Sequence, residues 1–106
     1  MTEIWKEIPQ SIYYLGIMPN YEASNLGRIR NSKTGRILKY TPFNGNYNRM
    51  KVQLRNRYEG LSLRVSYVIW ETFRSEDQPS AYERPLYFKD GNHHNFAFDN
   101  LSLEKV

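Results

Sequence analysis

The chain has 106 residues, with 15 Lys plus Arg, 11 Asp plus Glu, two His, nine Tyr, five Phe, two Trp and no Cys; this fits one domain and excludes a large multi-domain enzyme, disulfides and thiolate chemistry. The formal net charge is +4, and no apolar run nears the ~20 residues of a membrane-spanning helix, so no membrane role is expected. The opening Met1-Thr2-Glu3-Ile4-Trp5-Lys6 lacks the basic-then-apolar order of a signal peptide, which makes the cytoplasm the expected location.

Residues 3–20 mix Trp5, Ile8, Ile12, Tyr13, Tyr14, Leu15, Ile17 and Met18 with Pro9 and Pro19. Without a clean period this reads as an extended, partly buried arm. Tyr21-Glu22-Ala23-Ser24, the turn candidate Asn25-Leu26-Gly27 and the alternating Arg28-Ile29-Arg30 predict a hairpin. Asn31 to Gly35 predicts a second tight turn and Arg36 to Tyr40 a returning strand, so that Arg28, Arg30 and Arg36 share a sheet face. Thr41 to Asn48, with Pro42, Gly45 and three Asn, reads as a polar loop. In Arg49 to Arg55 apolar residues at 50, 52 and 54 alternate with polar ones, giving a strand with one core face and one cationic face. A turn over 56–60 leads to a partner strand at Leu61–Val65. Val65, Val68, Ile69, Thr72 and Phe73 then fall at helical spacing, predicting a short amphipathic helix. Ser75 to Arg84 reads as a loop, Leu86-Tyr87-Phe88 as a short strand, Lys89 to Asn92 as a turn, and the segment from Asn95 as partly helical. Trp5 and Trp70 are expected in the core, as are most of the tyrosines.

Charge is segregated along this order. Between Ala23 and Tyr58 lie Arg28, Arg30, Lys33, Arg36, Lys39, Arg49, Lys51, Arg55 and Arg57 with no acid, whereas the remainder holds all the Asp and Glu. Concentrated positive potential suits a polyanion, because neutralising phosphates releases condensed counterions. A solvated basic face balanced by an acidic one accounts for the same pattern. These nine cations are the candidate nucleic-acid-binding residues, with Arg favoured for contacts to phosphate or base.

Glu3-Ile4-Trp5-Lys6-Glu7-Ile8-Pro9, Asn20 to Arg30 with its Ser-Asn-Leu-Gly-Arg turn, and Gly35-Arg36-Ile37-Leu38-Lys39 together resemble the NUMOD-type DNA-binding unit of phage and intron-encoded HNH homing endonucleases. Leu63 to Phe73 is similar to the strand-to-helix junction of the HNH nuclease module, and Leu86 to Leu101 to its hairpin and final helix. The resemblance implies an α+β chain: a NUMOD-like basic module over 1–58 and a degenerate HNH (ββα-metal-like) module over 59–106, joined as one compact unit with one clear helix. It also implies DNA as partner and, for a phage protein, the host-cell cytoplasm.

The same resemblance implies a defect in the chemistry. HNH nucleases hold a divalent cation against the scissile phosphate and use a histidine to activate water. At the hairpin, the family's Asn- or Asp-His pair is replaced by Tyr87 and Phe88, and the usual histidine before the helix by Ser66. Asp90-Gly91-Asn92 and Asn100-Leu101 are retained. The family's last metal ligand is expected about two helical turns past that Asn, beyond Val106. Asp90, His93 and His94 are weak substitutes, since adjacent side chains on an extended segment point apart; neither a cofactor nor a metal is expected. The expected function is a catalytically inactive HNH-like protein that binds nucleic acid. Two alternatives stand beside it: a viral anti-defence protein that binds a host protein or anionic nucleotide, and a residual metal-dependent nicking enzyme. A homodimer through an uncovered β edge is a further expectation.

Overall fold

The computed structural model describes residues 2–9, 20–55 and 60–104; most of the expected arm and most of the turn expected over 56–60, Arg57 included, lie outside the described residues. Trp5–Glu7 (β1), Tyr21–Ser24 (β2) and Ile29–Asn31 (β3) form an antiparallel sheet in chain order. Thr41–Phe43 (β4), Asn46–Arg55 (β5) and Gly60–Arg64 (β6) form a second. β6 runs directly into the helix Val65–Phe73 (α1). Tyr87–Phe88 (β7) pairs with Leu101–Ser102 (β8), which follows a 3-10 turn at Phe98–Asn100. The architecture is α+β, with small antiparallel sheets around one helix, as the sequence predicts. No helix among the described residues is long and apolar enough to cross a membrane.

Both three-stranded sheets turn one face inward. Ala23 and Ile29 on the first sheet, and Val52 and Leu54 on the second, are buried against Val65, Val68, Ile69 and Trp70 of α1. Val52 lies opposite Leu63 and Leu54 opposite Leu61, so the alternation seen in the sequence is the core face of β5 and β6. Each fully buried aliphatic contributes about 1.5–3 kcal/mol relative to exposure. The Arg55 backbone N–H donates to the Tyr21 hydroxyl at 3.2 Å, linking the two sheets.

Three expectations are corrected. The strand over 36–40 is reduced to a bridge between Arg30 and Ile37. Beyond it Leu38 and Tyr40 pack against the core, where the Tyr40 hydroxyl donates to the Gly27 carbonyl at 2.7 Å. The loop over 41–48 is instead β4, a tight turn and the start of β5. Asn44 (φ 51°) and Gly45 (φ 77°) both have positive φ, the backbone of a two-residue type I′ hairpin turn, which Asn-Gly favours. Trp5 is only half-buried, for a reason that emerges at the arginines. The loop after α1, by contrast, is firmly held. The Trp70 indole donates to the Pro79 carbonyl at 2.9 Å, and the buried Glu71 carboxylate accepts from Ser80 Oγ (2.6 Å) and Ala81 N–H (2.8 Å).

Candidate nucleic-acid interface

The Ser-Asn-Leu-Gly-Arg turn is a structural clasp. Ser24 Oγ accepts from the N–H groups of Leu26 and Arg28 (3.3 and 3.1 Å). Asn25 Oδ1 accepts from Ile4 N–H at 2.7 Å, and its carbonyl accepts from Phe98 N–H at 2.9 Å. Gly27 has φ 96°, and a Cβ there would meet the Phe96 carbonyl carbon at 2.6 Å. One turn thus ties the start of the chain, the first hairpin and the segment before β8 together. Only glycine lets them approach so closely.

The arginines that leave this turn are held by their own chain. Arg28 forms a bidentate ion pair with Glu3 through Nε and Nη2, and Arg30 pairs with Glu22, opposite it in the sheet, at 3.0 Å. Both guanidinium groups lie over the Trp5 ring, with Cζ to centroid distances of 5.4 Å for Arg28 and 4.0 Å for Arg30. Trp5 is therefore a platform for two cations rather than a core residue. The Arg28 hydrogen bond holds the Glu3 carboxyl below its ordinary pKa, and Glu3 in turn raises that of Arg28.

The second sheet differs. Lys51, Gln53 and Arg55 alternate with the buried Val52 and Leu54, so they occupy the outer face of β5. Lys51 lies directly opposite Arg64 of β6, a like-charge cross-strand pair that opposes folding. Arg64 lies over the Tyr67 ring at 4.5 Å and donates to its hydroxyl at 3.0 Å, and Lys51 Nζ is 5.7 Å from the Phe43 centroid. Among the described residues, no ion pair engages Arg49, Lys51, Arg55 or Arg64. Arg64 was missed by a count that stopped at the first acid, Glu59. The alternation of Leu61 and Leu63 with Ser62 and Arg64 would have found it. Lys33, Arg36 and Lys39 are exposed on the turn and coil after β3, apart from this strand face.

At the nuclease-like hairpin, the residues do not fit a metal ion. Phe88 packs its ring against His93 (4.8 Å) and Phe96 (6.1 Å). Ser66 is buried in the first turn of α1. Asp90 has both carboxylate oxygens engaged: Oδ1 accepts from Asn92 N–H (2.8 Å) and Asn100 Nδ2 (3.0 Å), and Oδ2 from Asn95 Nδ2 (2.9 Å). These bonds, Asn95 first, hold its carboxyl below the ordinary value. His93 and His94 are exposed, and the His94 backbone is fixed by Asn92 at 3.0 Å. Among the described residues no group of three or more His, Asp or Glu is placed to hold an ion. The Asp-Gly-Asn turn and Asn100 form a polar knot that closes the β7–β8 pair.

Residues 3–53 match the NUMOD4 motif. The fold is similar to that of the HNH homing endonuclease I-HmuI, whose structure is described as showing DNA binding and cleavage. The two share a TM-score of 0.68 at 23% identity, over 92% of this chain and 50% of the other. The chain thus spans half the length of that endonuclease. No curated protein matches it.

Proposed function

We propose that this chain, residues 3–53 of which match the NUMOD4 motif and whose fold is similar to that of an HNH homing endonuclease, binds duplex DNA through the outer face of β4, β5 and β6 without cutting it. The observation that carries this reading is the uncompensated Lys51 and Arg64 pair, flanked by Arg49 and Arg55, on a sheet face that no acid among the described residues neutralises. Such a face opposes folding by its own repulsion, and phosphate relieves that repulsion while its counterions are released. Its absence of cleavage is supported by the rings at 87 and 88 and by an Asp90 carboxylate committed to three amide donors.

Retardation of a labelled duplex by the full chain, titrated with salt, tests binding. Four phosphate-facing cations give a log–log slope of about −3.6; no retardation at low salt overturns the reading. Supercoiled plasmid incubated with Mg²⁺, Mn²⁺ or Zn²⁺ is expected to stay intact. Nicking that His93→Ala or His94→Ala abolishes would show that the site has been rebuilt rather than lost.

A further inference from the structure

The chain contains one Asn-Gly pair, Asn44-Gly45, and one Asp-Gly pair, Asp90-Gly91, and the fold treats them in opposite ways. Asn44 and Gly45 form the exposed tip between β4 and β5, with φ of 51° and 77°. A Cβ on Gly45 would have nothing within 4 Å. Among the described residues, neither the Asn44 side chain nor the Gly45 N–H makes a hydrogen bond. The tip is also lightly held. Phe43 pairs with Asn46, but the ladder resumes only at Pro42 and Met50, so few cross-strand bonds resist local opening. Asp90, by contrast, is fixed by three amide donors, one of them from the buried Asn100.

We propose that Asn44 is a self-modifying site, at which the folded chain cyclises through the Gly45 nitrogen and releases ammonia, leaving an acidic residue at the hairpin tip. Hydroxide removes the Gly45 amide proton, and the nitrogen bonds to Asn44 Cγ. The Cγ–Nδ2 bond then breaks, and its nitrogen leaves as ammonia with a proton from water. Water opens the resulting five-membered imide at either carbonyl, giving aspartate or isoaspartate. Water is the sole co-reactant. Glycine after the asparagine matters because any other residue sets a side chain beside the attacking nitrogen and restricts the backbone rotation that brings it to Cγ. At Asp90-Gly91 the same ring does not close: Asn92, Asn95 and Asn100 hold the carboxyl in place and keep it ionised, and a carboxylate is a poor electrophile. Each event at position 44 adds a negative charge at the end of the cationic face of β5, and isoaspartate also inserts one carbon into the main chain of a two-residue turn. A modified chain therefore grips a polyanion less well; this consequence alone rests on the DNA-binding reading above.

The test incubates the folded full chain at neutral and at mildly alkaline pH, digests it with trypsin, and locates amide loss in the peptide Tyr40 to Arg49 by fragmentation mass spectrometry. Asn44 is expected to lose its amide faster as pH rises, with isoaspartate exceeding aspartate, while Asn46 and Asn48 of the same peptide stay intact. Asn44→Gly, which keeps a pair that the same turn favours, shows no conversion in that peptide. Asp90 gains isoaspartate in urea but not in the folded chain. The aged wild type binds duplex DNA severalfold more weakly than the fresh protein, whereas aged Asn44→Gly binds as its fresh form does. If the Asn44 amide is lost only in urea, if its loss ignores pH, or if Asn46 and Asn48 convert as fast, the proposal is overturned. If Asn44 converts and DNA affinity is unchanged, the effect on the DNA face is overturned and the site stands. If the fresh chain binds no duplex, the DNA-binding reading falls and the peptide map alone decides the site.

Discussion

The two three-stranded sheets use their cations in opposite ways. On the first, Arg28 and Arg30 are locked between Glu3, Glu22 and the Trp5 ring, where they fasten β1 and β3 across β2. On the second, Lys51 and Arg64 face each other with no acid from the described residues between them. The lesson is that a basic motif in a sequence is not a binding surface until its counterions are counted in three dimensions. The most recognisable stretch, Ser24 to Arg28, turns out to be a clasp, whereas the less conspicuous β5 presents the free charge.

The largest effect expected from this contrast is on the clasp. Gly27→Ala puts a methyl group into the Phe96 backbone at a φ that L-residues resist. It is expected to cost about 4 kcal/mol, combining backbone strain and overpacking, read as a large drop in thermal midpoint. A near-wild-type midpoint would mean that the first hairpin is not anchored to the β7–β8 region as described. Next comes the knot at β7–β8. Asn100→Ala removes donors to Asp90 Oδ1 and to the Asn95 carbonyl, and the acceptor for Asp90 N–H. Since Asn100 is buried, about 2 kcal/mol is expected in denaturant titration. A negligible change would reopen Asp90 as a carboxylate available for chemistry.

The sharpest comparison pairs one substitution from each sheet. Arg30→Gln removes an ion pair and a stacking contact, and is expected to lower stability by about 1 kcal/mol with little change in DNA affinity. Lys51→Gln removes a repulsion, so stability should hold or rise by about 0.5 kcal/mol. DNA affinity should fall severalfold and the salt slope should flatten by about 0.9. If the two variants exchange these profiles, the first sheet is the DNA face.

How much of this was legible depended on distance along the chain. α1 and the paired β5 and β6 were readable because helical and two-residue periods are local, and each matches a buried face. β4 was missed because Pro42 and the Asn-rich composition suggested a loop, although Asn44-Gly45 is itself a hairpin signal. Trp5 was misplaced because its partners come from another strand and from the turn. The ion pairs were invisible for the same reason: Glu3 stands 25 residues before Arg28, and Glu22 meets Arg30 only through the register of β2 and β3. The irregular register that exposes Tyr47, Asn48 and Arg49 leaves no periodic trace at all.

The smallest effect concerns acid. Glu3 and Asp90 are held below their ordinary pKa values, Glu3 chiefly by Arg28 and Asp90 chiefly by Asn95. A carboxylate depressed in the folded state contributes stability that is fully present above about pH 5 and is lost as pH falls through its folded pKa. Asp90 is solvent-exposed, and the half-buried Glu3 pairs with the exposed Arg28, so each contribution is modest and salt-sensitive. The thermal midpoint of the wild type should therefore decline below about pH 5. Glu3→Gln should start slightly lower at neutral pH and converge on the wild type in acid, because the charge it lacks is the one that acid removes. Added salt should narrow the neutral-pH gap. Parallel curves for the two proteins across the acid range would show that Glu3 is not charge-coupled to Arg28, which would free Arg28 for an external anion and dissolve the distinction between the sheets.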